Sequence, residues 1–219
     1  MWKRLLRFGF RLLYNEFAWT YDFVAWCVSL GKWQAWGRTS IKYLRGALVL
    51  ELAHGPGHLL VALKQAGYQP IGIDLSPYMS RQASRRLRRA GVPVPLVRCR
   101  AQALPFRSGS FDDALATFPT DYIADPLTLG EVARVTDTDG RLVIVAAAQL
   151  TGRQASARLI EWLYRLTGQR EPLPRGDESV FGQSGWVMRI EYEEVGSSSV
   201  LLTIGEKSTA KGAENAKDE

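Results

Sequence analysis

The feature that most limits how this chain can fold is a short apolar run closed by glycines, then a helical stretch, then a second apolar run closed by an acid. It reads LVLELAHGPGHL over 48–59, with IGID following at 71–74. A glycine turn at the end of a strand lets backbone approach a ligand closely. The helix after it offers unpaired N–H groups and a positive dipole end. Asp74 closes the second strand, where a carboxylate can accept both hydroxyls of a ribose. The unit therefore points to a nucleoside-containing ligand at the C-terminal ends of buried strands.

The same alternation continues along the chain. Strands are expected at Ala47–Leu52, Pro70–Leu75, Val94–Cys99, Phe111–Phe118 and Arg141–Ala147, and helices at His58–Ala66, Ser76–Ala90 and Asp125–Val135. Continuous aliphatic and β-branched runs between helices mark parallel strands buried on both faces. The expected class is α/β, doubly wound. Further on, Ala155–Leu166 has helical texture, and Glu171–Gly185 reads as a connection rich in turn residues. Trp186–Val195 and Ser199–Ile204 read as strands. The link between them is too short for a parallel crossover, so they run in opposite senses. Residues 1–45 form a helical, aromatic-rich cap, 46–205 the ligand-binding unit, and 206–219 a polar, disordered tail.

Composition removes several alternatives. Cys27 and Cys99 are the only cysteines and His54 and His58 the only histidines, too few for a disulfide framework or a zinc site, and no metal is expected. No apolar stretch approaches the roughly 20 residues of a membrane span, so a cytoplasmic protein is expected. Leu60 occupies the third glycine position of a dinucleotide fingerprint, and Pro56 removes a donor that a pyrophosphate would use. No Gly-Lys-Ser/Thr follows, which excludes a P-loop. A phosphate-free nucleoside such as S-adenosylmethionine asks less of this turn.

The net charge is +6, from 28 Lys and Arg against 22 Asp and Glu. Arg81, Arg85, Arg86, Arg88 and Arg89 read as the solvated face of a helix. They lack the interleaved aromatics of a nucleic-acid platform, so nucleic acid is not expected. Residues 1–17 divide into an apolar stripe (Leu6, Phe10, Leu13, Phe17) and a basic one (Arg4, Arg7, Arg11). Three readings stay open: a helix packed as part of the cap, a peripheral contact with a membrane surface, and a cleaved transit peptide. The first is preferred.

Four segments together resemble the class I S-adenosylmethionine-dependent methyltransferases of the small-molecule type. VLELAHGPGHL (49–59) is similar to their first motif and GIDLSPYM (72–79) to their ribose-binding segment. AQALPFRSGSFDDALATF (101–118) is similar to the stretch ending in the fourth strand, and EVARVTDTDGRLVIV (131–145) to the helix and strand after it. Upstream, Tyr21-Asp22, Ser29-Leu-Gly31 and Trp36-Gly-Arg38 resemble the ubiquinone/menaquinone C-methyltransferase group, in which a helical cap closes over cofactor and substrate. The resemblance implies a Rossmann-like, seven-stranded, mostly parallel sheet with its last strand antiparallel. It implies S-adenosylmethionine as cofactor and a small, lipophilic or ring-bearing acceptor.

The resemblance also implies cofactor contacts from Tyr21, Glu51, Ala53, Gly55, Gly57, Asp74, Leu75, Met79, Ala101, Gln102, Ala103 and Phe118. Among these, Glu51 would meet the methionine amino group or orient the loop, Asp74 the ribose, and the Ala101–Gln102 backbone the adenine. Asp121 and Tyr122 follow the fourth strand at its open end, and with His58 they are the candidates for a catalytic role. Ala53 stands where the family has its first glycine, and Arg100 where it often has an aspartate reaching the adenine amino group. These departures keep one alternative in view, a degenerate methyltransferase fold acting as a membrane-associated or scaffolding module without catalysis. The acceptor's identity, its attacking atom and the oligomeric state are not legible in the sequence.

Overall fold

The computed structural model describes residues 21–152 and 178–207. Its strands are β1 (Leu48–Leu52), β2 (Gln69–Ile73), β3 (Leu96–Val97), β4 (Phe111–Thr117), β5 (Thr136–Leu150), β6 (Trp186–Glu194) and β7 (Ser198–Lys207). They form one sheet in the order β3-β2-β1-β4-β5-β7-β6. The first five are parallel, and β7 runs antiparallel to both neighbours, β5 and β6. This is the doubly wound, seven-stranded arrangement expected, with the last strand reversed.

The helices are α1 (Tyr21–Ser29), α2 (Trp33–Arg38), α3 (His58–Gln65), α4 (Pro77–Ala90), α5 (Pro126–Val135) and α6 (Glu178–Gln183), with 3-10 turns at Thr39–Tyr43 and Asp121–Ala124. Because side chains alternate along a strand, the apolar runs supply two cores. Leu50, Leu52, Ala114, Ala116, Leu142 and Ile144 pack with α5, Phe181 and Trp186 on one face. Val49, Leu115, Val143, Val145 and Leu202 pack with Leu59, Leu63 and Trp36 on the other. Each fully buried aliphatic side chain contributes about 1.5–3 kcal/mol over leaving it exposed. The fold therefore tolerates a polar residue inside these runs only where it is satisfied or used. Asp113, with no exposed surface, is satisfied. Its carboxylate accepts from the backbone N–H groups of Arg45 at 2.7 Å, Gly46 at 3.0 Å and Arg141 at 2.8 Å, which fixes the approach to β1 against β4 and β5.

Local sequence sets the helix ends. Ser76 caps α4 by accepting from the Met79 N–H, with Pro77 in the first turn and Gly91 left-handed after the last, as capping chemistry requires. Asp125 caps α5 by accepting from the Leu127 N–H.

Several expectations are corrected. The third strand is only Leu96–Val97 rather than Val94–Cys99, because prolines at 93 and 95 remove ladder donors. β5 begins at Thr136, ahead of Arg141, directly after α5. The connection expected over Glu171–Gly185 contains α6. Glu206 and Lys207, assigned to the tail, complete β7, where Glu206 accepts from Arg45 and Arg141. The leader 1–17, the helix expected at Ala155–Leu166 and the rest of the tail lie outside the described residues. Among the described residues, no helix is long and apolar enough to cross a membrane.

Candidate functional site

The loops that follow β1, β2 and β4 gather at one edge of the sheet, and α2 faces them. Between them lies a cavity of about 830 Å³. Its first half is built by the strand ends. After β1 the backbone turns through three left-handed residues, Ala53 (φ 51°), Gly55 (φ 53°) and Gly57 (φ 80°). Ala53 is the costly one, since a non-glycine residue there carries about 1–3 kcal/mol of strain. Asp74, after β2, braces this turn. One carboxylate oxygen accepts from the Gly55 N–H at 2.9 Å and the other from the Ser76 N–H at 2.7 Å. Each oxygen keeps a lone pair for another donor.

Glu51 is the anomaly of β1. It is 1% exposed in an otherwise aliphatic strand, it lines the cavity, and its Oε2 has no hydrogen-bond partner among the described residues. Burial, and then the charge of Asp74, push its pKa well above the ordinary 4.5. His54 is also buried. Its Nδ1 lies 2.7 Å from the Gly55 carbonyl, so Nδ1 carries the proton in the neutral ring. Burial holds its pKa down against the pull of Asp74.

Asp22 of α1 meets His58 and Arg86 at the flank of the turn. One oxygen sits 2.9 Å from His58 Nε2, and the other accepts from Arg86, whose second nitrogen donates to the Pro56 carbonyl. Arg86 thus leaves the solvated face expected for its cluster and ties α4 to α1 and the turn. Burial raises the Asp22 carboxyl, but His58 and Arg86 outweigh it and hold the pKa below 3.8.

The second half of the cavity is aromatic. α2 contributes Trp33, Gln34, Gly37 and Arg38 to the lining, the one-side spacing of a helix. Phe118, left-handed at φ 47° just past β4, brings its ring 4.2 Å from Trp33, and Trp36 stands edge-on to it at 6.2 Å. Asp125 joins the halves: besides capping α5, it accepts from the Gln102 amide at 3.0 Å.

Of the residues singled out in the sequence, Glu51, Ala53, Gly55, His58, Asp74, Leu75, Met79, Ala101, Gln102, Phe118 and Tyr122 line this cavity. Gly57, Ala103 and Asp121 do not. A Cβ on Gly57 would lie 2.8 Å from that of Ala83, so its glycine lets α3 pack on α4. The Ala103 N–H closes a turn onto the Arg100 carbonyl, and Asp121 is exposed. Tyr21 begins α1; its side chain lies outside the described set. Trp33, Gln34, Arg38 and Asp125 were missed. The α2 spacing was the available signal for the first three. Among the described residues, no group of three or more His, Cys, Asp or Glu side chains is placed to hold a metal ion.

A family model described as a methyltransferase domain matches residues 49–140, the segment from β1 into β5. The demethylmenaquinone methyltransferase of Thermus thermophilus is 32% identical over 139 residues, 61% of this chain and 63% of that protein. The ubiquinone/menaquinone biosynthesis C-methyltransferase of Geotalea uraniireducens is 30% identical over 146 residues, 61% of this chain and 60% of that protein. The chain thus spans about three-fifths of the length of these two curated relatives. Among solved structures, a putative S-adenosylmethionine-dependent methyltransferase from Methanococcus maripaludis superposes with a TM-score of 0.63 at 16% identity, covering 88% of this chain and 92% of that one. That likeness concerns the fold alone.

Proposed function

We propose that this chain, similar over residues 49–140 to a methyltransferase domain and over about three-fifths of its length to quinone C-methyltransferases, is a class I S-adenosylmethionine-dependent methyltransferase that transfers a methyl group from S-adenosylmethionine to a small acceptor held between α2 and the loop after β4. The observation that carries this reading is the carboxyl of Glu51, buried at the cavity wall with an oxygen that no described residue satisfies. An unmet buried acceptor costs about 1–3 kcal/mol, and the cationic amino group of the cofactor's methionine end is the donor it lacks. Asp74, pinned by two backbone N–H groups, keeps lone pairs for a ribose diol. Leu75, Met79 and Cys99 offer apolar flanks for a flat base, with Ala101 and Gln102 beside them.

When bound, S-adenosylmethionine supplies an electrophilic methyl group on a positively charged sulfur. The protein's part is to hold the acceptor in line at about 3–3.5 Å and to keep water out. Trp33 and Phe118 suit that task, since an aromatic wall orients a ring by its face. Proton removal is needed only if the attacking atom carries a proton. His58 already meets Asp22 and Asp121 stands outside the lining, so Tyr122 remains as the candidate for that contact. The relatives named for demethylmenaquinone support a ring-bearing acceptor. The non-catalytic scaffold reading has no observation of its own in the site.

Calorimetric titration with S-adenosylmethionine and S-adenosylhomocysteine tests the reading, followed by methyl-release assays on a panel of phenols, quinols, amines and lipids. Saturable binding of both nucleosides is expected. No binding at millimolar ligand overturns it.

A further inference from the structure

We infer that the acceptor pairs a flat, unsaturated body with an anionic group, a carboxylate or a phosphate, and that Arg38 is the residue that holds the anion. The inference rests on the methyltransferase reading above and narrows its substrate class.

The charges around the cavity carry the argument. Of the three lining acids, two are engaged by donors and the third lies in the strand-end half. Asp74 accepts from Gly55 and Ser76, Asp125 from Leu127 and Gln102, and Glu51 is buried at the strand-end half. Several arginines outside the cavity are committed: Arg45 and Arg141 hold Glu206, Arg86 holds Asp22, and Arg134 holds Glu131, while Arg85, Arg89 and Arg107 do not line it. Arg38 differs. It lines the cavity from the last turn of α2, it is exposed, and no described residue accepts a hydrogen bond or forms an ion pair with its guanidinium. The same short helix presents Trp33, whose ring packs tilted against Phe118 at 4.2 Å.

A guanidinium fork matches the planar geometry of a carboxylate or phosphate, and two parallel N–H···O contacts fix orientation as well as charge. An aromatic wall fixes a ring but leaves it free to slide and turn in its own plane. One anchored anion removes that freedom, which is what in-line attack requires. The chain's net charge of +6 adds a field that draws anions toward the protein.

Arg100 supplies an internal control. It also lines the cavity, and no described residue accepts a hydrogen bond from its guanidinium, but it belongs to the segment after β3, beside Ala101 and Gln102, and not to α2.

The test uses the full chain saturated with S-adenosylhomocysteine. Calorimetry then compares 2-naphthoate, 2-naphthyl phosphate and the uncharged 2-naphthalenemethanol. At least one anion should bind tenfold or more tightly than the alcohol, and the ranking of the two identifies the anion class. Arg38→Gln should bring the anions within about twofold of the alcohol while leaving S-adenosylhomocysteine affinity and melting temperature unchanged. Arg38→Lys should restore part of the preference, and Arg100→Gln should retain it. Equal binding of anion and alcohol, failure of all three probes to bind, or a preference that survives Arg38→Gln overturns the inference while the methyltransferase reading stands. Failure to bind S-adenosylhomocysteine overturns both.

Discussion

Glu51→Gln should make the ligand-free protein more stable and the liganded protein weaker, two opposite signs from one atom. In the free protein the Glu51 carboxyl is buried at 1% exposure with Oε2 unpaired, and its pKa lies well above 4.5. Holding a carboxyl of ordinary pKa 4.5 protonated at pH 7 costs about 3.4 kcal/mol, at 1.36 kcal/mol per pH unit. That figure is the ceiling on what the neutral glutamine recovers, so a gain of about 1–3 kcal/mol is expected. For a chain of this size the gain is a rise of roughly 2–10 °C in melting temperature. The pH dependence has a definite sign. A group whose folded pKa is raised favours the fold most below its unfolded value, and that contribution is lost as pH rises toward the folded value. The advantage of the variant should therefore vanish near pH 4.5 and grow toward neutrality.

Binding reverses the sign. An ammonium group entering beside Glu51 draws its carboxyl into the charged form. Losing one charge-assisted hydrogen bond costs about 1.5–3 kcal/mol, roughly 10- to 150-fold in affinity. The parent should also release up to one proton as the ligand binds at neutral pH, and the variant none. Calorimetry with S-adenosylhomocysteine in two buffers of different ionisation enthalpy reads that proton directly. A lower melting temperature with unchanged affinity and no difference in proton release would refute the reasoning, because it would mean an ionised Glu51 that serves only the fold.

Three further outcomes are expected. Asp74→Ala should weaken S-adenosylmethionine binding by about 1.5–3 kcal/mol with circular dichroism unchanged; equal affinity in calorimetry would remove Asp74 from the site. Asp22→Asn should loosen α1 from the turn, seen as faster amide exchange over 21–29, with a stability loss of no more than about 1 kcal/mol because the group is partly exposed. Since the Asp22 pKa is lowered in the fold, that contribution is present above pH 3.8 and lost as pH falls through the folded value, so parent and variant should converge in urea melts at low pH. Asp113→Ala strands three backbone N–H groups and should cost about 3–5 kcal/mol in urea unfolding, while the folded fraction keeps its cofactor affinity.

What could be read from the sequence was whatever neighbouring residues decide. The apolar runs, the glycine turn and the acid after β2 announce themselves locally, and Glu51 and Asp74 fell where their strands place them. Gly57 shows the limit of that reading. A glycine in a turn is needed either for a ligand or for a neighbouring helix, and only the approach of Ala83 reveals which. Arg86 shows another. Its helix has the periodicity of a solvated basic face, and the partner that turns it inward, Asp22, lies far away in sequence. The aromatic wall was legible only in part. Phe118 was picked out by the family resemblance and expected to end its strand, but its contact with Trp33 depends on a left-handed backbone at a phenylalanine, which propensity argues against.

The junction at Asp22 bears on how such proteins diversify. His58 and Arg86, which meet it, come from α3 and α4, so α1 contributes a single acid to that joint. A lineage that exchanged its leading helices by recombination would keep the joint if the incoming segment offered one carboxylate at this point. On the proposed reading, Trp33 and Arg38 of α2 would travel with the exchanged piece, while Glu51 and Asp74, set at the strand ends, would stay behind. Under that reading, a new acceptor wall could be supplied by a new front end without rebuilding the sheet.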